Sequence, residues 1–396
     1  MTVAPLRMGI AGLGTASALS FPALARHPGI RIVAAADTRP SALDAFRAEY
    51  GGRTFDSVEA LCGDDGIDVV YVCTPNFLHA EHAVMAAEHR KHVLVEKPIA
   101  VTLEECDRMI AAATRNRVQL LCGHTQAHEP AVKAMRKLVE SGDVGRLLMM
   151  NAWCFTDLLL RPRAAWELDT ARGGGVVFIQ APHQVDVIRL IGGGIVRGVR
   201  AAAGLGDPSR PTEGHYAAFL DLDGGVPATI VYSGYAHFDS AEYHGWTDGQ
   251  GFARDPDTHR RTRAAARAHP DEPAEREAKR YGGGRKIAER LAAARRQPIF
   301  GTTVVSCERG DVRQTPDGLR IDGDDGPRDV IVATSPTGRD AMLDELCAAV
   351  RGERPAIHDG PWAKATLEVC LAIIRSGRER REIVLEHQVP VVTTRR

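Results

Sequence analysis

The sequence predicts an α/β protein in two parts: a doubly wound parallel sheet, then an α+β half with an open, mainly antiparallel sheet. Three observations carry this. Up to about residue 123, short apolar runs alternate with helical patterns, as in a parallel sheet wrapped by helices. Beyond Pro130, strand-like runs succeed one another, with hairpin turns such as Asp223-Gly224-Gly225. The chain has 396 residues, too many for one typical core, so the change of pattern marks a boundary between domains at 1–123 and 124–396.

In the first part the strands fall near 7–11, 31–36, 69–73, 92–96 and 118–122. Thr102 and Glu105 form a capping-box pattern opening a helix over 102–116. Strand one runs into Gly12-Leu13-Gly14-Thr15-Ala16-Ser17. A dinucleotide-binding (Rossmann) turn needs glycine for the tight turn, glycine for approach of the diphosphate, and a small residue where helix meets strand. Ser17 stands at the third position. Gly12, Gly14, Thr15 and Ala16 are therefore predicted to hold the cofactor. Strand two ends in Asp37, where an acid accepts the adenosine ribose hydroxyls and repels a 2′-phosphate, so the expected cofactor is NAD. Thr38 and Arg39 follow, and an arginine there also suits a phosphate.

Two later strands end in polar groups: Thr74-Pro75-Asn76 with His79, and Glu96-Lys97-Pro98. In an open parallel sheet ligands bind at this carboxyl edge. These residues join the predicted cofactor set, and Lys97 is the expected site of chemistry.

The second part opens with a helix near 130–141 and a strand at 147–153. The run Gly173-Gly174-Gly175 leads into a helical stretch from His183 to Leu190. Strands follow at 196–204, 214–222, 227–236, 302–309, 318–321 and 329–333, and two helices near 338–351 and 361–375 close the chain. A charged insertion occupies about 240–298. Within it, residues 254–296 hold thirteen Lys/Arg against seven Asp/Glu, which reads as a solvated helical insertion or as a basic lid steering an anionic substrate.

Net charge is −1, so nothing global suggests nucleic acid or a membrane surface, and no apolar run reaches membrane-span length. Strand one starts at Arg7, which leaves no room for a signal peptide, and the expected location is the cytoplasm. Eight scattered cysteines lack metal or disulfide spacing, so no metal is predicted. Cys73 and Cys122 are read as buried packing residues.

The glycine-rich first turn, Thr74-Pro75-Asn76 with His79, Glu96-Lys97-Pro98, the glycine run and His183 with Asp186 together resemble the Gfo/Idh/MocA oxidoreductases. The resemblance runs in order over essentially the whole chain. It implies a Rossmann domain joined to a sheet domain that carries the substrate site on one face and an oligomer contact on the other. It also implies a homo-oligomer, dimer or tetramer, and a cis Lys97–Pro98 peptide. Arg161-Pro162-Arg163, Trp166-Glu167-Leu168-Asp169, Gln180-Ala181-Pro182-His183-Gln184 and the stretch from Val305 to Asp311 resemble one branch, the phthalate 4,5-cis-dihydrodiol dehydrogenases. That likeness implies oxidation of an aromatic-acid cis-dihydrodiol to a catechol, with sugar or inositol dehydrogenation and a non-catalytic NAD(P)-binding regulator as alternatives.

The chain departs from the family at Ile179, where many polyol dehydrogenases carry an aspartate, and at Ala127-His128-Glu129-Pro130. Lys97 and His183 remain as the catalytic pair, with either as base. Glu96 is a cofactor-edge residue or a solvated neighbour, and Asp186 faces the site or a subunit contact. Arginine forks bind carboxylates. For the dicarboxylated dihydrodiol that the branch likeness implies, the predicted substrate set is Arg161, Arg163 and Arg172, with His124, Gln180 and His183 and with His128 as a further candidate, serving a small anionic substrate.

Overall fold

The computed structural model describes residues 4–268, 272–278, 280–283 and 295–392. Six parallel strands form the first sheet: β1 (Leu6–Ala11), β2 (Ile30–Ala36), β3 (Arg53–Phe55), β4 (Val69–Val72), β5 (His92–Val95) and β6 (Leu120–Cys122). Their order, β3-β2-β1-β4-β5-β6, is the Rossmann order, with its switch point between β1 and β4. All four residues of β4 are buried, as a strand covered by helices on both faces requires. The helix Leu103–Asn116 begins at Thr102 with the anticipated reciprocal cap from Glu105.

Among the described residues, the second sheet has nine strands: β7 (Leu147–Phe155), β8 (Val196–Leu205), β9 (Glu213–Leu222), β10 (Val226–Ser233), β11 (Thr302–Cys307), β12 (Gly310–Thr315), β13 (Gly318–Gly323), β14 (Gly326–Ile331) and β15 (Ile383–Val384). They lie in the order β14-β13-β12-β11-β7-β10-β9-β8-β15, antiparallel except where β10 pairs with β7. The predicted 302–309 strand instead turns at Glu308-Arg309 into a hairpin with β12, which the sequence reading lacked. Strands β3 and β15 were also unpredicted. Both are too short to show a period of two, and both exist only through pairing with a longer neighbour.

One face of the second sheet is covered by the helices Ala181–Ile191 and Gly360–Glu379. On the opposite side Met149, Trp153 and Phe219 are exposed. Helix Gly338–Val350, far along the chain, packs on helix Thr15–Arg26, and its Met342, Leu343 and Leu346 join the core around Met8 and Ile10 of β1. The cysteines are all free and buried. Among the described residues, no helix is long and apolar enough to cross a membrane.

Candidate active site

The carboxyl edge of β1, β4 and β5 opens into a cleft of about 1690 Å³ shared between the two sheets. Gly12 adopts φ +96°, and a Cβ there would lie 2.9 Å from the Cys73 carbonyl oxygen, so only glycine fits the turn. Helix Thr15–Arg26 follows at once, with Gly14 as N-cap and no side-chain cap. Its first-turn amides therefore need an outside acceptor, which suits a diphosphate. Ser17 is fully buried and donates its hydroxyl to the Gly14 carbonyl at 3.1 Å, the small-residue role expected of the third position.

At the far end of the cradle, the Asp37 carboxylate accepts the Leu13 and Arg39 amides at 2.7 and 2.8 Å and the Arg39 Nε at 3.2 Å. Arg39 is held by Asp37 and by Glu277, 2.6 Å away, rather than left free for a phosphate. This donor and acceptor set fits a dinucleotide with an unphosphorylated ribose. Asp37, Thr38, Thr74, Pro75 and Asn76 all line the cleft.

The β4 edge is tied down by its own polar groups. His79 is buried with one ring nitrogen 2.8 Å from the Pro98 carbonyl and the other 2.8 Å from that of Thr74. Asn76 donates to the Gly173 carbonyl at 2.8 Å, linking the cofactor edge to the glycine run. Gly174 packs so tightly that a Cβ would lie 2.6 Å from the Glu167 backbone.

Lys97 follows β5, and the Lys97–Pro98 peptide is cis. Its Nζ donates to the Ile179 carbonyl at 2.7 Å, so position 179 contributes backbone where an aspartate side chain was absent. Burial pushes the Lys97 pKa down, partly offset by the Glu96 carboxylate. That carboxylate also accepts the Tyr71 hydroxyl. His183 lines the same cleft, its ring 5.0 Å from that of Phe300 and its Nδ1 buried without a partner. Burial, then the neighbouring Lys97 and His124, hold its pKa well below 6.5, so the imidazole is neutral. A neutral imidazole beside a lysine whose ammonium is disfavoured can orient a hydroxyl and receive its proton.

The other expected substrate residues divide. Arg161, Arg163 and Gln180 line the cleft. Arg161 pairs with Asp157 through Nε at 3.0 Å, and Arg163 with Glu167 at 2.9 Å. Arg172 does not line the cleft. It is exposed, with its guanidinium 3.7 Å over the Phe77 ring. His124 also lies outside the lining, 2% exposed and 3.9 Å from Asp186. Asp186 faces neither cleft nor surface: it accepts the Trp362 indole N–H at 2.6 Å and lies 3.4 Å from His358. His358 is also 3.0 Å from Glu345, which is 3.1 Å from His128. Burial alone would strip the charge from His358, but Glu345 and Asp186 on either side raise its pKa to about 10. This buried ion chain behind Lys97 and His183 joins segments more than 150 residues apart, so no local pattern announced it. Tyr232, Phe300 and Arg276 of the cleft wall were missed for the same reason.

A Rossmann sheet with a cofactor crevice facing a half-buried lysine and histidine defines a dinucleotide-dependent oxidoreductase. The model of the oxidoreductase family with NAD-binding Rossmann fold matches residues 6–124, and that of the Gfo/Idh/MocA C-terminal domain matches 132–247. The chain belongs to the Gfo/Idh/MocA family, and its cofactor is NAD. It is 38% identical over 383 residues to 1-carboxy-3-chloro-3,4-dihydroxycyclohexa-1,5-diene dehydrogenase of Comamonas testosteroni, covering 94% of this chain and 95% of that protein. A Bordetella bronchiseptica RB50 protein assigned as a dehydrogenase has a crystal structure that superposes with a TM-score of 0.91 at 42% identity, over 96% of this chain and all of that one. The aldose-aldose oxidoreductase of Caulobacter crescentus shares the fold at TM-score 0.74 and 22% identity, over 96% of this chain and 100% of that one.

Proposed function

We propose that the protein oxidises a carboxylated cyclic cis-dihydrodiol with NAD, giving the catechol and NADH. The cis-4,5-dihydrodiol of phthalate is the first substrate to test. The observation that carries this reading is the cleft wall at Lys97 and His183. It is aromatic, with Phe300 against His183 and the rings of Phe300 and Tyr232 6.2 Å apart, and it holds arginines within the same space. A flat, anionic ring suits that wall. A polyol would need hydroxyl acceptors, and Ile179 offers only a carbonyl already taken by Lys97. The Comamonas relative, which acts on a carboxylated dihydroxycyclohexadiene, supports the same class.

In this reading Lys97 receives the proton of one substrate hydroxyl while His183 orients it. Bound NAD supplies the hydride acceptor at its nicotinamide. Loss of hydride from the carbinol carbon and of the hydroxyl proton leaves a ketone, which tautomerises to the catechol. Aromatisation then drives the reaction forward. Gly12, Gly14, Thr15 and Ala16 hold the diphosphate, and Asp37 the adenosine ribose. We further propose assembly into a dimer or tetramer through the exposed Met149, Trp153 and Phe219 of the second sheet. Sedimentation of the purified chain tests this, and a monomer at micromolar concentration refutes it.

The test of the activity is NADH formation from cis-dihydrodiols of phthalate and benzoate, inositols and aldoses. Turnover of the carboxylated diols and not of the polyols supports the reading. The reverse pattern overturns it.

A further inference from the structure

We infer that Arg276, acting with Arg163, forms a subsite for the substrate's carboxylate, so that the charged insertion selects an anionic ring. The inference rests on the dehydrogenase reading above and adds residues to it. Helix Glu272–Glu277 belongs to the insertion. Glu272 accepts the Arg163 backbone amide at 3.1 Å and pairs with Arg210, which anchors the helix beside the 161–163 segment. Arg276 lies one helical turn beyond Glu272, on the same side of the helix, and lines the cleft with Arg163.

Three neighbouring cations are matched, and the exposed Glu275 also lines the cleft. Arg163 is paired with Glu167, Arg210 with Glu272 and Arg280 with Glu277. Arg276, half-buried, has no hydrogen-bond or ion-pair partner among the described residues. The Nε of Arg163 is likewise buried without an acceptor. Burial and the cations of Arg280 and Arg163 press the Arg276 pKa below its ordinary value, which an arriving anion would relieve. Two guanidinium groups with spare donors in one cleft match a planar carboxylate.

A cofactor diphosphate shares this chemistry. It already has the uncapped helix amides beyond Gly14. Arg163 and Glu167 instead lie close enough to Lys97 to bias its charge, which puts the subsite at the reacting end of the cleft.

The experiment uses the full-length enzyme saturated with NAD. Phthalate, benzoate and the uncharged ring catechol are titrated calorimetrically onto wild type and onto Arg276→Gln and Arg276→Lys, and NAD affinity is measured for each. Expected is a loss of roughly tenfold in phthalate affinity for Arg276→Gln, with partial recovery in Arg276→Lys and no change for catechol or NAD. Unchanged phthalate affinity, or no phthalate or benzoate binding by wild type, overturns the subsite. An equal loss of NAD affinity assigns Arg276 to the diphosphate and overturns it as well. If phthalate binding depends on Arg276 but no dihydrodiol is oxidised, the subsite stands and the proposed reaction fails. If dihydrodiols turn over equally in wild type and Arg276→Gln, the reaction stands and the subsite fails.

Discussion

Replacing Lys97 by methionine keeps an unbranched apolar stem and removes the ammonium. The consequences separate cleanly. Lys97 is half-buried, and that burial disfavours its charge, so an apolar side chain is not foreign to the site. The Ile179 carbonyl loses its 2.7 Å donor. An orphaned buried acceptor costs about 1–3 kcal/mol, partly offset by relief of the buried charge. The fold should therefore persist with a modest fall in melting temperature. Catalysis should not. A positioned proton-transfer group contributes roughly 10²–10⁴-fold, equivalent to about 3–5 kcal/mol of barrier. The cofactor cradle at Gly12 and Asp37 is built from other residues, so NADH affinity should hold. The assay is steady-state NADH formation from the preferred diol, with NADH affinity by fluorescence and a thermal melt on the same samples. A kcat within threefold of wild type, in a variant that binds NADH normally, would refute the role of Lys97.

Asp37→Ala removes the group that accepts the Leu13 and Arg39 amides and leaves Arg39 with one of its two acidic partners, Glu277. NAD affinity should fall while NADP affinity holds or rises, read from the two Michaelis constants; a wild type that prefers NADP would sink the argument. Glu96 raises the Lys97 pKa against burial, and the base must be neutral to work. The alkaline rise of kcat/KM should thus move to lower pH in Glu96→Gln, and an unmoved or upward-shifted limb would show that another group titrates. His358 has a folded pKa near 10, raised from 6.5, so its contribution to stability is complete below pH 6.5 and is lost as pH climbs toward 10. Melting temperature should fall over that window in wild type. Glu345→Gln, which leaves the buried imidazolium short of a counter-charge, should cost about 3–5 kcal/mol near neutrality; a melt equal to wild type would count against the charged chain.

Much of the first-sheet edge of the cleft was legible because its signals are local. The turn at Gly12, the strand-end Asp37 and the Thr74 and Lys97 edges each declare themselves within a few residues, since a parallel strand buried on both faces reads as an apolar run and its ligand edge follows at once. The capping box at Thr102 and Glu105 is local in the same way. The sequence by itself thus determined the class of fold and which residues, Lys97 among them, stand at the carboxyl edge of the first sheet. Only tertiary structure decided which cations face the cleft. Arg161, Arg163 and Arg172 looked alike in the chain, yet Arg172 lies over Phe77 while Glu272, over a hundred residues away, holds the 161–163 segment beside Arg276. His124 looked like a pocket residue and became part of a buried chain, because Asp186, His358, Glu345 and Trp362 converge behind it from three distant helices and a loop. Period and propensity report how a side chain sits on its own strand or helix. The direction it then faces, and the charge it meets there, depend on what other parts of the chain pack against it.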